Sequence, residues 1–237
     1  MPPTRREKQH AATADEIKAT ARRLMAELGA EGISIRAIAR EMGLSAPALY
    51  HYFASRDDLL TALIVDAFNA LADALEQARR AAAGAPLARQ LMAATLAYRA
   101  WALAHPTDFQ LIYGNPVPGY DAPREITVPA VARGFRVFIE LIAAALASGE
   151  LVPTAEYRAI PPQLEPHFAA LVARDGYGVP PLALYLGVVA WPRLHGIIML
   201  ELFNHLQPVV GDSAAFYQIQ MANTLREIGL NVRGLDR

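Results

Sequence analysis

Residues 34–53 read Ser34-Ile-Arg-Ala-Ile-Ala-Arg-Glu-Met-Gly-Leu-Ser-Ala-Pro-Ala-Leu-Tyr-His-Tyr-Phe53. The spacing predicts a helix, a three-residue turn and a second helix. Ser34 is placed to cap the first helix through its hydroxyl oxygen. Ile35, Ile38, Ala39 and Met42 recur at the period of one helical face. Gly43 can adopt the left-handed conformation that ends a helix, and Leu44 is expected to plug the turn into the core. Ser45 reads as a second N-cap, with Pro47 in the first turn, where its missing N–H costs nothing. The second helix, Ala46 to about Tyr52, is too short to stand alone in water. Burying Leu49 and Phe53 leaves Ala46, Ala48, Tyr50 and His51 facing outward. Small residues followed by hydrogen-bonding aromatics suit a helix that enters a DNA major groove. An ordinary helical hairpin has the same periodicity, so the pattern alone leaves both readings open.

Composition narrows the frame. The chain has 237 residues, 54% hydrophobic and 8% aromatic, and no cysteine. It is long enough for a full core, and without cysteine it has neither disulfides nor Cys-ligated zinc. No alternating pattern is sustained enough for a sheet, and the chain reads as all-α. Residues 1–56 hold nine basic against six acidic groups, +3, which against −1 for the whole chain leaves −4 elsewhere. The excess of positive charge at one end points to phosphate. The first ten residues are polar and basic with no apolar segment of a signal peptide. The apolar run Pro180–Pro192 is shorter than a membrane span. A soluble, cytoplasmic protein with no membrane partner is the expectation.

Further motifs extend the reading. Residues 1–12 are expected to be disordered, with Thr4, Arg5 and Arg6 as a basic arm against DNA backbone. Thr13-Ala-Asp-Glu16 has the form of a capping box and would open a helix with Ile17, Ala21, Leu24, Met25 and Leu28 on one face and Gly29 at its end. Ser55 would cap a long helix with Asp57 and Asp58 in its first turn, running to about Ala83. Helices are further predicted at about 87–104, 106–113, 124–148, 164–174, 180–206 and 212–228. Gly114–Pro123 forms a proline-stiffened loop. Pro192 should kink the helix containing it.

Gly43-Leu44-Ser45, Leu49-Tyr50-His51-Tyr52-Phe53 and Ser55-Arg56-Asp57-Asp58-Leu59-Leu60, preceded by Gly29–Ala39, resemble the DNA-binding signature of the TetR family of transcriptional regulators. The resemblance covers about residues 13–62, and Arg56 stands where the family most often has Lys. Trp191-Pro-Arg-Leu-His195-Gly196 with Met199-Leu200-Glu201 resembles the Trp–His–Gly (WHG) class of TetR-type C-terminal domains. The resemblance implies an Ω-shaped homodimer, with a helix-turn-helix DNA-binding domain at 1–57 and a ligand-binding and dimerisation domain at 58–237. The helices at 180–206 and 212–228 would pair with their two-fold mates. The partners implied are an inverted-repeat operator in duplex DNA and a small, apolar effector; repressor is the expected sign.

Candidate DNA contacts are Ser34, Arg36, Ser45, Ala46, Ala48, Tyr50, His51 and Arg56. The predicted recognition helix has no Arg, Asn or Gln, so bidentate base readout from it is lacking. Tyr98, Trp101, His105, Phe109, Tyr113, Phe138, Trp191, His195 and Met199, with Phe203, are candidates to line a ligand cavity. An aromatic at helical spacing is more often plain core, and His195 also suits a core or dimer-interface hydrogen bond. No metal-ligand spacing, phosphate-binding glycine loop or nucleophile elbow occurs, and neither cofactor nor catalysis is expected. The competing reading is a helical small-molecule-binding protein or enzyme whose hairpin is purely structural.

Overall fold

The computed structural model describes residues 3–29 and 33–232. Met1, Pro2, Ala30–Gly32 within the signature-like stretch, and residues 233–237 lie outside them. Eleven α-helices are present among the described residues. They are α1 Arg5–Leu28, α2 Ile35–Glu41, α3 Ala46–Tyr50, α4 Arg56–Ala81, α5 Leu87–Ala104, α6 Pro106–Tyr113, α7 Arg124–Ser148, α8 Glu165–Asp175, α9 Pro181–Leu202, α10 Gln207–Val210 and α11 Ser213–Glu227. Among the described residues extended pairing is confined to one antiparallel bridge, Leu151 to Leu230. The fold is all-α.

Two compact units emerge, Met1–Phe68 with His105–Ala130, and Asn69–Ala104 with Val131–Arg237. In the first, Ile17 and Ala21 of α1, Ile38 of α2, Leu49 of α3, and Leu59, Leu60 and Leu63 of α4 form a shared apolar core. Each Ile or Leu so buried contributes about 1.5–3 kcal/mol. Leu111, Val117 and Ala130 from the α6–α7 segment complete it. Polar ties within this unit run from Arg22 to Asp108 at 2.8 Å and from Thr61 to Tyr120 at 2.9 Å.

The second unit packs α5, α9 and α11 together, with α8 on α9. At its centre Arg99 of α5 donates from Nε to Glu201 of α9 at 2.7 Å. The Tyr217 hydroxyl of α11 donates to the Thr95 carbonyl of α5 at 2.7 Å. Burial pushes the Tyr217 phenol far above its ordinary value. The Glu201 carboxylate, by its hydrogen bond, holds the Arg99 guanidinium above its own.

Several sequence expectations are corrected. Residues 5–12 are helical, not disordered: α1 starts at Arg5 behind a capping box. The Thr4 hydroxyl accepts from the Glu7 amide, and the Glu7 carboxylate accepts from the Thr4 amide at 2.6 Å. Two Thr-x-x-Glu signatures occur nine residues apart. The first prevails because nothing between them breaks a helix, and Thr13 donates back to the Gln9 carbonyl.

The helix predicted to reach Leu206 stops at Leu202. Asn204 takes the left-handed conformation at φ 57°. His205 N–H then bonds the Leu200 carbonyl and Asn204 N–H that of Glu201, closing the helix end. Asparagine does there what glycine usually does. Glu201 and His205 consequently do not share a helix. Helix α9 continues through Pro192 as one element. By length and composition α9 could cross a membrane. Its Glu201 pairs with Arg99, and its Arg193 pairs with Glu227 at 2.6 Å.

Candidate nucleic-acid interface

The helix-turn-helix is built as its residues dictate. Ser34 Oγ accepts from the Ala37 amide at 3.1 Å, starting α2. Gly43, at φ 66°, ends it. Its N–H bonds the Arg40 carbonyl and the Leu44 N–H bonds that of Ala39, the paired closure of a Schellman motif. Leu44 is not the expected core plug: it is 38% exposed. The closure uses its backbone, and Ile33, Ile38 and Leu49 already fill the space beneath.

Helix α3 carries Pro47 in its first turn, and Ser45 makes no side-chain cap bond. Leu49 and Phe53 are buried in the shared core, while Tyr50 is 51% exposed. His51 is exposed, and Ala46 and Ala48 are half-buried. Tyr50 and His51 thus stand side by side at the outer end of a helix held from beneath.

The basic residues divide by what they already do. Arg36 is exposed near the start of α2, with no ion pair among the described residues. Arg56 is half-buried, and its Nε donates to the Ile33 carbonyl at 2.9 Å. That bond ties the start of α4 to the segment entering α2, so Arg56 holds the head together whatever else it touches. Ser55 caps α4, accepting from the Asp58 amide at 3.0 Å.

Sequence reasoning missed one contact beside this surface. His10 stacks on Tyr52 with ring centroids 4.5 Å apart and planes at 28°. The Thr4-x-x-Glu7 signature was the available signal, because a helix starting there carries His10 over the hairpin.

The candidate ligand residues separate between the two units. Phe109 is fully buried in the first, with Tyr113 beside it at 5.2 Å between centroids. His105 is exposed and forms the N-cap of α6, so it lies just beyond the helix that carries Trp101. In the second unit Tyr98 and Trp101 are buried, and Tyr98 meets Phe138 edge-on at 6.4 Å. Trp191 and His195 lie together at 5.6 Å, Trp191 exposed. Met199 is half-buried on the same helix. Burial lowers the His195 imidazole below its ordinary value. No group of three His, Cys, Asp or Glu able to hold a metal occurs among the described residues.

Comparison with known proteins bears on this arrangement. Residues 17–63 match the family model described as bacterial regulatory proteins, tetR family. Residues 91–224 match the model of the tetracyclin repressor-like C-terminal domain. The second description names that domain generally and no Trp–His–Gly class. The HTH-type transcriptional regulator Rv1816 of Mycobacterium tuberculosis is 35% identical over 183 residues, 77% of each chain. The crystal structure of a protein described as regulatory, SCO4313, is 35% identical with a TM-score of 0.74, covering 94% of this chain and 100% of that one. The TetR family regulator PfmR of Thermus thermophilus, at 19% identity and TM-score 0.59, covers 91% and 98% and shares the fold.

Proposed function

The chain belongs to the TetR family of bacterial regulatory proteins, and we propose that it is a ligand-responsive repressor binding an inverted-repeat operator as a homodimer. It is a DNA-binding transcription regulator, not an enzyme. The observation that carries the operator reading is the stretch 46–53: Leu49 of α3 and Phe53 just beyond it are buried below, with Tyr50 and His51 exposed above.

Residues 1–57 act as the DNA-binding segment and 58–237 as the regulatory one. That functional division is one of sequence, since residues 105–130 pack with the first unit. Arg36, Tyr50 and His51 supply polar contacts and Ala46 and Ala48 apolar ones. Ser34 and Ser45 sit where backbone phosphates are met, and Arg56 adds charge from behind. Bases are read through shape and thymine methyl contact, since α3 offers no bidentate pair.

The dimer forms through α9 and α11. Val188, Trp191, Leu200 and Phe203 at 180–206 and Ile219 within 212–228 leave large apolar side chains in water in one chain. A second copy would cover them. A small apolar effector among Tyr98, Trp101, Phe138 and their neighbours favours a conformer with lower operator affinity. The factor is the ratio of effector affinities for the two states. Repression of this kind acts on the chromosome, in the cytoplasm.

Selection of duplexes from random sequence, followed by footprinting, tests the operator. Protection of an inverted repeat with half-sites about 34–36 Å apart, or a multiple, supports the reading. Selection that enriches no symmetric sequence overturns it.

A further inference from the structure

The N-terminal overhang of α1 holds three cations, Arg5, Arg6 and Lys8, in a helix that reaches past the hairpin. Ile17, Ala21 and Leu24 form the stripe of α1 buried in the first unit. Counting back at 3.6 residues per turn, Ala14, His10 and Arg6 continue that stripe. Ala14 still packs on the core, and His10 stacks on Tyr52 at 4.5 Å. Tyr52 follows the exposed Tyr50 and His51 directly in sequence. Arg6 lies one turn beyond the stack, about 6 Å further along the helix axis.

The other cations of the overhang are aimed elsewhere. Lys8 falls roughly 200° around the helix from Arg6, and Arg5 falls about 100° away. Glu7 is engaged with Thr4, its carboxylate accepting from both the amide and the hydroxyl. Arg6 is exposed and makes no ion pair among the described residues. A guanidinium so placed is available to a phosphate.

We propose that Arg6 is a phosphate-contacting residue of the DNA surface, carried to the edge of α3 by the rigid α1 overhang and the His10–Tyr52 stack. It grips the duplex backbone flanking the bases beneath α3. The inference rests on the DNA-binding reading and deepens it: the contact comes from a capped helix, and from one cation of three.

The test uses full-length protein and a duplex that the wild-type chain has selected from random sequence, with binding followed across a KCl series. Arg6→Ala should lower the slope of log K against log salt by about two for a dimer on a full site, one phosphate contact per chain. Arg6→Lys should keep the slope near wild type, and so should Lys8→Ala. The Arg6→Ala loss should be equal on a scrambled duplex, because a phosphate contact carries no sequence. Equal slopes for Arg6→Ala and wild type, or equal losses for Arg6→Ala and Lys8→Ala, would overturn the inference while leaving operator binding intact. A wild-type chain that binds no duplex at low salt overturns the DNA-binding reading as well.

Discussion

Tyr50 is exposed on a helix whose anchors lie on its other face, so its side chain is nearly irrelevant to folding. Tyr50→Ala should therefore leave stability within about 0.5 kcal/mol. Operator affinity should weaken by about 1–3 kcal/mol, roughly five- to 150-fold; titration of a labelled duplex beside a thermal melt measures both. Arg56 behaves differently, because its Nε serves the Ile33 carbonyl. Arg56→Ala should lower the melting temperature, at a cost of about 1 kcal/mol given its partial exposure, as well as any DNA affinity. The split between Leu49 and Phe53 below and Tyr50 and His51 above was legible from spacing alone. Leu44 was not: a Schellman closure fixes the backbone of that residue and leaves its side chain to whatever space remains. Nor was the carbonyl partner of Arg56, which lies 23 residues away.

At the scale of elements, the first turn of α1 hangs on Thr4 and Glu7. Hydrogen bonds from the Thr4 amide and hydroxyl hold the Glu7 carboxyl below its ordinary value. A group with a depressed folded value stabilises above its unfolded value and loses that contribution as pH falls through the folded one. Helicity of residues 5–10 should accordingly decline below about pH 4 while the buried part of α1 persists; amide chemical shifts on acid titration would report it. Glu7→Gln should abolish the pH dependence by removing the titrating carboxyl, whereas Thr4→Ala should only reduce it, because the amide at position 4 still donates to Glu7. The Arg99–Glu201 pair makes the opposite case, since both side chains are largely buried. Glu201→Ala leaves a buried guanidinium without its carboxylate and should cost about 3–5 kcal/mol, read by urea denaturation. Helix α5, α6 and α7 bounds were legible because turn formers flank continuous periodic runs. The end of α9 was missed because Asn204 closes it without a glycine, and the start of α1 because two capping signatures competed.

For the whole molecule, the helical class and the DNA-binding role followed from the hairpin stretch and its resemblance. The division into compact units did not, since residues 105–130 are remote in sequence from the core that Leu111, Val117 and Ala130 complete. The proposed dimer would cover the exposed apolar residues of α9 and α11. Val188→Glu combined with Ile219→Glu should yield a monomer by analytical ultracentrifugation and weaken operator binding, because one recognition helix then meets its half-site without the other. The measurement that tests the central claim most directly is binding of purified protein to its selected duplex across a salt series, with stoichiometry. Two chains per duplex, with affinity falling steeply and linearly in log–log form, is the predicted result. A salt-independent or absent interaction with duplex DNA would contradict the account.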